Sequence, residues 1–175
     1  IAENEINNLK QYFSPIKLDI QHIGSTAVPG MAARPTIDLM IGVFNTNEIL
    51  KLKELLNNIK LIGYKKIIYE TVADRYFFVK INPDNPNGNP LFHLHVCNFM
   101  NEYWKIRIFL RDLLRYNLKF RKIFLQYKIM ITTRYPKDRY IYFMLKSMII
   151  AKILKAGDYF LSNTKNKHVF IGTDS

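Results

Sequence analysis

Cysteine is nearly absent from this chain, with Cys97 as the one example among 175 residues. A single thiol cannot form an internal disulfide, which excludes the small disulfide-stabilised secreted domains and agrees with a cytoplasmic location. Long apolar runs are absent too, so no transmembrane helix is predicted. The first ten residues are polar and acidic and lack the basic-then-apolar order of a signal peptide, so none is expected there.

Acidic residues are also scarce, with 14 Asp and Glu against 26 Lys and Arg, and the net charge is +12. The excess lies between residues 102 and 155, where 14 Lys and Arg face only Glu102, Asp112 and Asp138. A positive field confined to one half of a chain attracts phosphate-bearing partners such as nucleotides or RNA. Ordinary solvated helix faces explain the same composition, so both interpretations stay open.

The hydrophobic pattern predicts an α+β fold. Apolar residues make up 49% of the chain, which is enough for a core. Alternating and β-branched runs predict strands at 17–23, 36–43, 64–70, 75–81 and 90–97. Helical periodicity predicts helices at 3–13 and 46–59 and three more between 101 and 156. Strands followed by helices indicate a mixed β-sheet core and then a basic C-terminal helical annex.

We therefore predict three parts along the chain. Residues 1–100 form the α/β core, residues 101–160 form a helical annex packed on that core, and residues 161–175 form a tail. No internal repeat is present.

Familiar phosphate-binding and hydrolase motifs are missing. The segment GSTAVPG, which begins at Gly24, lacks the Lys-Ser/Thr of a P-loop, is not GxGxxG and has no GxSxG elbow. The chain has instead a Gly24-Ser25 turn after a strand, followed by Asp38 inside the apolar strand TIDLMIGV. Such a carboxylate either faces a cleft or pairs with a cation, for which Arg34 and Arg75 are the candidates.

The segment around this turn, HIGSTAVPGMAARPTIDLMIGV (22–43), is followed by five shorter ones with a shared pattern. They are RYFFVK (75–80), FHLHVC (92–97), FLRDLLRYN (109–117), QYK (126–128) and YPKDRYIYFMLK (135–146). Together they resemble the GrpB family, a branch of the nucleotidyltransferase superfamily that includes DNA polymerase beta and the CCA-adding enzymes. The match runs in order from about residue 20 to 155. The resemblance implies a nucleotidyltransferase-like fold with a site that handles nucleotides or other phosphates.

The resemblance also implies roles for the turn and the acid. Gly24, Ser25 and Thr26 would hold the nucleotide triphosphate, because backbone N–H groups of a small-residue turn approach phosphate oxygens closely. Asp38 would hold a divalent cation. The superfamily has a second carboxylate two residues later, and this chain has Met40 there.

Histidines replace acids on the strand at 90–97, which contains no Asp or Glu. We predict Asp38, His93 and His95 as catalytic residues, and Asp38 with His95 as ligands of Mg²⁺ or Mn²⁺ ahead of Zn²⁺. Strand alternation places His93, His95 and Cys97 on one face, which allows a His-His-Cys transition-metal site beside Asp38. In the alternative interpretation, Cys97 is a small core residue and the histidines only form hydrogen bonds.

Basic side chains are expected to neutralise the phosphates. Arg107, Arg111 and Arg115 repeat every four residues and so form a stripe on one helix face, where Asp112 can pair with a neighbour. The predicted nucleotide-binding cations are Arg34, Arg75, Lys80, Arg111, Lys128 and Lys146.

The aromatic residues of the annex have a plainer interpretation. Tyr103, Trp104 and the aromatic residues at 140–143 are interpreted as core rather than as a base-stacking platform.

Two functions remain. In the first, the protein is an enzyme that transfers a nucleotidyl group from an NTP to an acceptor such as RNA, with a metal ion. In the second, it is a catalytically reduced module that binds nucleotide or RNA, for which Met40 is the argument. A purely structural partner protein is a third interpretation, and it predicts no affinity for phosphate ligands.

Overall fold

A computed structural model describes residues 1–44, 52, 54–67 and 75–163. The strands are β1 (Leu18–Ile23), β2 (Ile37–Val43), β3 (Tyr64–Lys66), β4 (Arg75–Lys80) and β5 (Phe92–Asn98). The helices are α1 (Ala2–Tyr12), α2 (Glu102–Tyr116), α3 (Leu118–Arg134) and α4 (Arg139–Asn163). Leu52 and residues 54–57 are also helical. Three predicted segments lie partly outside the described residues. The structure does not describe residues 46–51 and 53 of the predicted helix at 46–59, residues 68–70 of the predicted strand at 64–70, or residues 164–175 of the predicted tail.

The five strands form one mixed sheet in the order β1-β2-β5-β4-β3, which confirms the predicted α+β class. β2 and β5 pair in parallel at the centre, and the other pairs are antiparallel. The register places Asp38 opposite His93 and Met40 opposite His95. Two segments 55 residues apart in sequence therefore lie side by side.

By its internal contacts the chain divides into two units. The first comprises Ile1–Ala27 and Ala32–Arg107 and holds the whole sheet with α1. Its core lies between α1 and one face of the sheet, where Leu9, Phe13, Leu39 and Leu94 are fully buried. Acidic residues in the first turn of α1 and Lys10 in its last turn complement the helix dipole.

A charged group is buried beneath α1. Glu5 is 6% exposed and accepts hydrogen bonds from the Tyr64 hydroxyl at 3.0 Å and from Nζ of Lys80 at 2.9 Å. Burial, followed by the Glu5 carboxylate, raises the pKa of Tyr64, so this hydroxyl stays protonated and donates. Lys80 therefore ties β4 to α1.

Glu5→Gln is expected to lower the free energy of unfolding by about 1–3 kcal/mol, because it leaves the partly buried Lys80 ammonium without its carboxylate. Urea denaturation measures the change. Glu3→Gln, on the exposed side of the same helical turn, is the matched control and should change stability by less than about 0.5 kcal/mol. Equal effects of the two variants would contradict the structural role given to Glu5.

The second unit comprises Val28–Met31 and the chain from Ile108 onward. Leu113, Phe124 and Ile153 lie in its core. α4 continues past residue 156, where the predicted helix ends, and a Cβ at Gly157 would come within 2.5 Å of Leu113. Glycine is thus used inside α4 for close helix packing rather than to end the helix. Within the described residues, no helix has an apolar stretch long enough to cross a bilayer.

Candidate active site

The polar residues singled out from the sequence share the face of the sheet opposite the α1 core. Leu39, Leu94 and their alternate neighbours belong to that core, so strand alternation directs Asp38, His93 and His95 to the other side. We call this side the histidine face. It lies entirely within the first unit.

The Gly24 turn lies directly against Asp38. Gly24 has φ +74°, and a Cβ built on it would lie 2.3 Å from Oδ2 of Asp38. Glycine is therefore needed here both for its backbone conformation and for space. The next residues, Ser25–Ala27, form a short 3₁₀ turn, in which Thr26 Oγ1 lies 3.0 Å from Nε2 of His22. The structure thus brings the predicted phosphate turn and the predicted acid together.

Asp38 is paired with a histidine. Its Oδ1 lies 2.9 Å from Nδ1 of His93, and the two side chains are 29% and 32% exposed. An ionised carboxylate can only accept a hydrogen bond, so Nδ1 of His93 carries the proton. In the neutral ring, Nε2 then holds the lone pair that can take a proton from another group. The acid predicted to face a cleft or to pair with Arg34 or Arg75 thus has an accessible imidazole beside it.

His95 is held by Tyr103, an aromatic residue that the helical pattern predicted to lie in the core. Its Nδ1 lies 3.0 Å from the hydroxyl of Tyr103. Burial raises the pKa of Tyr103, against an opposite effect of Arg107 and Arg75, so the hydroxyl is protonated at neutral pH. Phe77 packs beside both histidines, with ring centroids 4.8 Å from His95 and 5.3 Å from His93.

The start of α2 explains the position of Tyr103. Asn101 accepts a hydrogen bond from the Trp104 N–H at 2.8 Å, so the helix begins shortly after β5 ends. Trp104 is buried, as predicted, and a Cβ on Gly42 would come within 2.8 Å of its ring. The local sequence pattern does not predict which of Tyr103 and Trp104 contacts the site and which is buried in the core, because both residues fit an amphipathic helix.

Cys97 belongs to the core rather than to a metal site. It is 2% exposed, and burial raises the pKa of its thiol to about 11, against Arg75 and Arg107. Among the described residues, no group of three His, Cys, Asp or Glu side chains is placed to hold a metal ion. The His-His-Cys alternative is therefore wrong, and the small-core-residue alternative fits.

We expect Cys97 to be unreactive toward Ellman's reagent in the native protein. At pH 8 a thiol of this pKa is about one-thousandth ionised, against about a quarter for a free cysteine, so labelling should be at least about 100-fold slower than in the unfolded chain. Absorbance at equal protein concentration, with and without guanidinium chloride, measures the two rates. Fast stoichiometric labelling of the native protein would contradict the assignment.

The predicted cations are not all on the histidine face. Lys80 points to the α1 side, where it pairs with Glu5. Arg75 stacks on the Tyr103 ring, and Arg34 is exposed in the loop before β2. The other three belong to the second unit, where Arg111 is buried and pairs with Asp112 at 2.7 Å. Lys128 and Lys146 of that unit each lie 6.0 Å from an aromatic ring.

Comparisons with known proteins agree with this architecture. The family model described as GrpB protein matches residues 1–156. The glutamate-rich protein GrpB of Alkalihalophilus pseudofirmus is 33% identical over 138 residues, which cover 78% of this chain and 76% of that protein. The crystal structure of the conserved protein GrpB from Enterococcus faecalis is similar over 91% of this chain and 92% of that one, with a TM-score of 0.76 and 28% identity.

A more distant likeness concerns the fold alone. A cytoplasmic RNA terminal U-transferase has a TM-score of 0.50 and 12% identity, over 74% of this chain and 39% of that one. The fold is thus nucleotidyltransferase-like.

Proposed function

This chain belongs to the GrpB family, and from that premise we propose that it transfers a nucleotidyl group from an NTP to a hydroxyl acceptor, with RNA as the acceptor class. The observation that carries the proposal is the convergence of three groups: the Gly24 turn meets Asp38, and Asp38 holds His93. The fold shared with an RNA terminal U-transferase supports the reaction class. We place the reaction in the cytoplasm.

The chemistry follows from the proton positions. The backbone of Gly24, Ser25 and Thr26 binds the phosphates of the NTP. Nε2 of His93 takes the proton of the acceptor hydroxyl as that oxygen bonds to the α-phosphorus. The bond from the α-phosphorus to its bridging oxygen breaks, and pyrophosphate leaves with the electron pair. Asp38 keeps Nδ1 of His93 protonated and stabilises the imidazolium that forms.

We propose a site for one divalent cation rather than two. A two-cation site needs several carboxylates, and the fully buried Met40 stands where the second is expected. We propose that Asp38 and His95 hold a single Mg²⁺ or Mn²⁺, ahead of Zn²⁺, together with phosphate oxygens of the nucleotide. When bound, the cation neutralises charge on those phosphates. With the cation bound, Nδ1–H of His95 would donate to the Tyr103 oxygen, and this tautomer leaves the lone pair on Nε2 for the cation.

The basic half of the chain supports a polyanionic acceptor. Between residues 102 and 155, 14 Lys and Arg face three acids. Neutralising phosphates with such residues releases counterions, so RNA affinity should fall steeply with salt. We propose phosphate-binding roles for Arg34 and Arg75 of the first unit and, separately, for Lys128 and Lys146 of the second. Lys80, paired with Glu5, and the buried Arg111, paired with Asp112, have structural roles.

A nucleotide- or RNA-binding module without turnover is the second candidate, because Met40 removes a carboxylate on which the superfamily's chemistry depends. Incubation of the protein with each labelled NTP, total RNA, and Mg²⁺, Mn²⁺ or Zn²⁺ separates the two functions. Labelled RNA on a denaturing gel supports transfer. NTP binding by calorimetry without labelled product supports the module, and the absence of both overturns the two together.

A further inference from the structure

Two arginines from different elements meet at one tyrosine ring. Arg75 opens β4, and its guanidinium carbon lies 4.5 Å from the centroid of the Tyr103 ring. Arg107 follows Tyr103 by one turn of α2, and its guanidinium carbon lies 4.8 Å from the same centroid. The two guanidinium carbons are therefore at most about 9.3 Å apart. We call Arg75 and Arg107 the arginine pair.

The arginine pair brings two positive charges to one aromatic ring. Within the described part of the chain, no carboxylate forms an ion pair with either guanidinium. The acids of α2 are engaged elsewhere, since Glu102 pairs with Lys105 and Asp112 with Arg111. The face of the Tyr103 ring attracts both cations, but it carries no net charge. Two like charges held this close favour an anion between or beside them.

The arginine pair is also distinct from the Gly24 turn. Arg75 lies opposite Cys97, and Asp38 lies opposite His93, four residues earlier on β5. At the rise of a β-strand this is about 13 Å along the sheet. The backbone of Arg75 is therefore well separated from that of Asp38, and the phosphate proposed for the arginine pair is a different one from the phosphate at Gly24.

From this geometry we propose that Arg75 and Arg107 form a second phosphate-binding site on the histidine face. Guanidinium groups bind phosphate oxygens in a bidentate manner, and the Tyr103 ring fixes both groups in advance. The phosphate comes either from the polyphosphate tail of the nucleotide or from the backbone of an RNA strand. The use of this site in catalysis rests on the proposed nucleotidyl transfer, but phosphate binding by the pair does not.

Isothermal titration calorimetry with sodium tripolyphosphate and with a ten-nucleotide uridine RNA tests the site. Arg75→Gln/Arg107→Gln should weaken binding of at least one probe tenfold or more. Lys66→Gln/Lys105→Gln is the matched control, because it removes two positive charges from the same unit, including one stacked on Tyr76. The control should stay within about twofold of the native protein.

The outcomes distinguish the sources and the failures. Loss of tripolyphosphate binding assigns the site to the nucleotide tail, and loss of RNA binding assigns it to the strand. Unchanged binding of both probes by the arginine variant, or an equal loss in the lysine control, overturns the site. Arg75→Lys/Arg107→Lys keeps the two positive charges but lacks the forked donors of arginine, so its affinity should lie between that of the native protein and that of the Gln double variant. This variant also serves as a second test if the Gln double variant does not fold.

The same proteins separate this proposal from the proposed function. If the native protein transfers no nucleotide but the arginine variant still loses phosphate binding, the transferase proposal fails and the site stands. If transfer proceeds and the arginine variant binds and reacts like the native protein, the site fails and the transferase proposal stands.

Discussion

Asp38→Asn is expected to lower nucleotidyl transfer about 10³- to 10⁴-fold with the fold intact. The amide keeps the shape of the side chain but has no charge, so it neither fixes the proton on Nδ1 of His93 nor stabilises the imidazolium. Transfer of a labelled NTP to RNA under single-turnover conditions measures the loss, and circular dichroism checks the fold.

Two further variants make this result specific. Asp19→Asn removes the same charge from β1, where Asp19 accepts a hydrogen bond from Gln21 at 2.8 Å, and should leave the rate within about threefold. His93→Gln should lose no more activity than Asp38→Asn, which also removes a proposed cation ligand, and the double variant should lose little more than Asp38→Asn, because the two residues act as one unit. Losses in the double variant that multiply, or an Asp38→Asn rate within tenfold of native, would rule out the pair as a general base.

Gly24→Ala is expected to destabilise the protein by about 2–5 kcal/mol and to abolish transfer. Alanine at a positive φ costs about 1–2 kcal/mol, and its Cβ would also meet the Asp38 carboxylate, which must move away from His93. Urea denaturation gives the stability change, and the transfer assay gives the activity.

The chain provides its own control for this variant. Gly30 has φ +71°, but no atom of the described residues lies within 4 Å of the position that a Cβ would take there, so Gly30→Ala carries the backbone cost alone. It should cost about 1–2 kcal/mol and leave transfer unchanged. If Gly24→Ala and Gly30→Ala show the same stability and the same transfer activity, the contact between the Gly24 turn and Asp38 is not required for function.

Local patterns contained several features of this site. Alternation along β5 separates His93 and His95 from the buried Leu94, and burial follows this alternation from residue 92 to 96 but not at Cys97, which is buried as well. The sequence also argued against the prediction that Lys80 binds the nucleotide together with Arg75. Arg75 and Lys80 are an odd number of residues apart on one strand, so their side chains point to opposite faces.

The sequence by itself determined the α+β order of elements, the small turn at Gly24, and which side chains within each strand share a face. These follow from backbone conformation and from hydrophobic periodicity, which are local properties of the chain. Only the tertiary structure decided that β2 lies parallel to β5, that His93 lies beside Asp38, and that Tyr103 reaches His95. The reason is physical: strand pairing and register depend on the packing of segments far apart in sequence, and no local period encodes which distant strand becomes the neighbour.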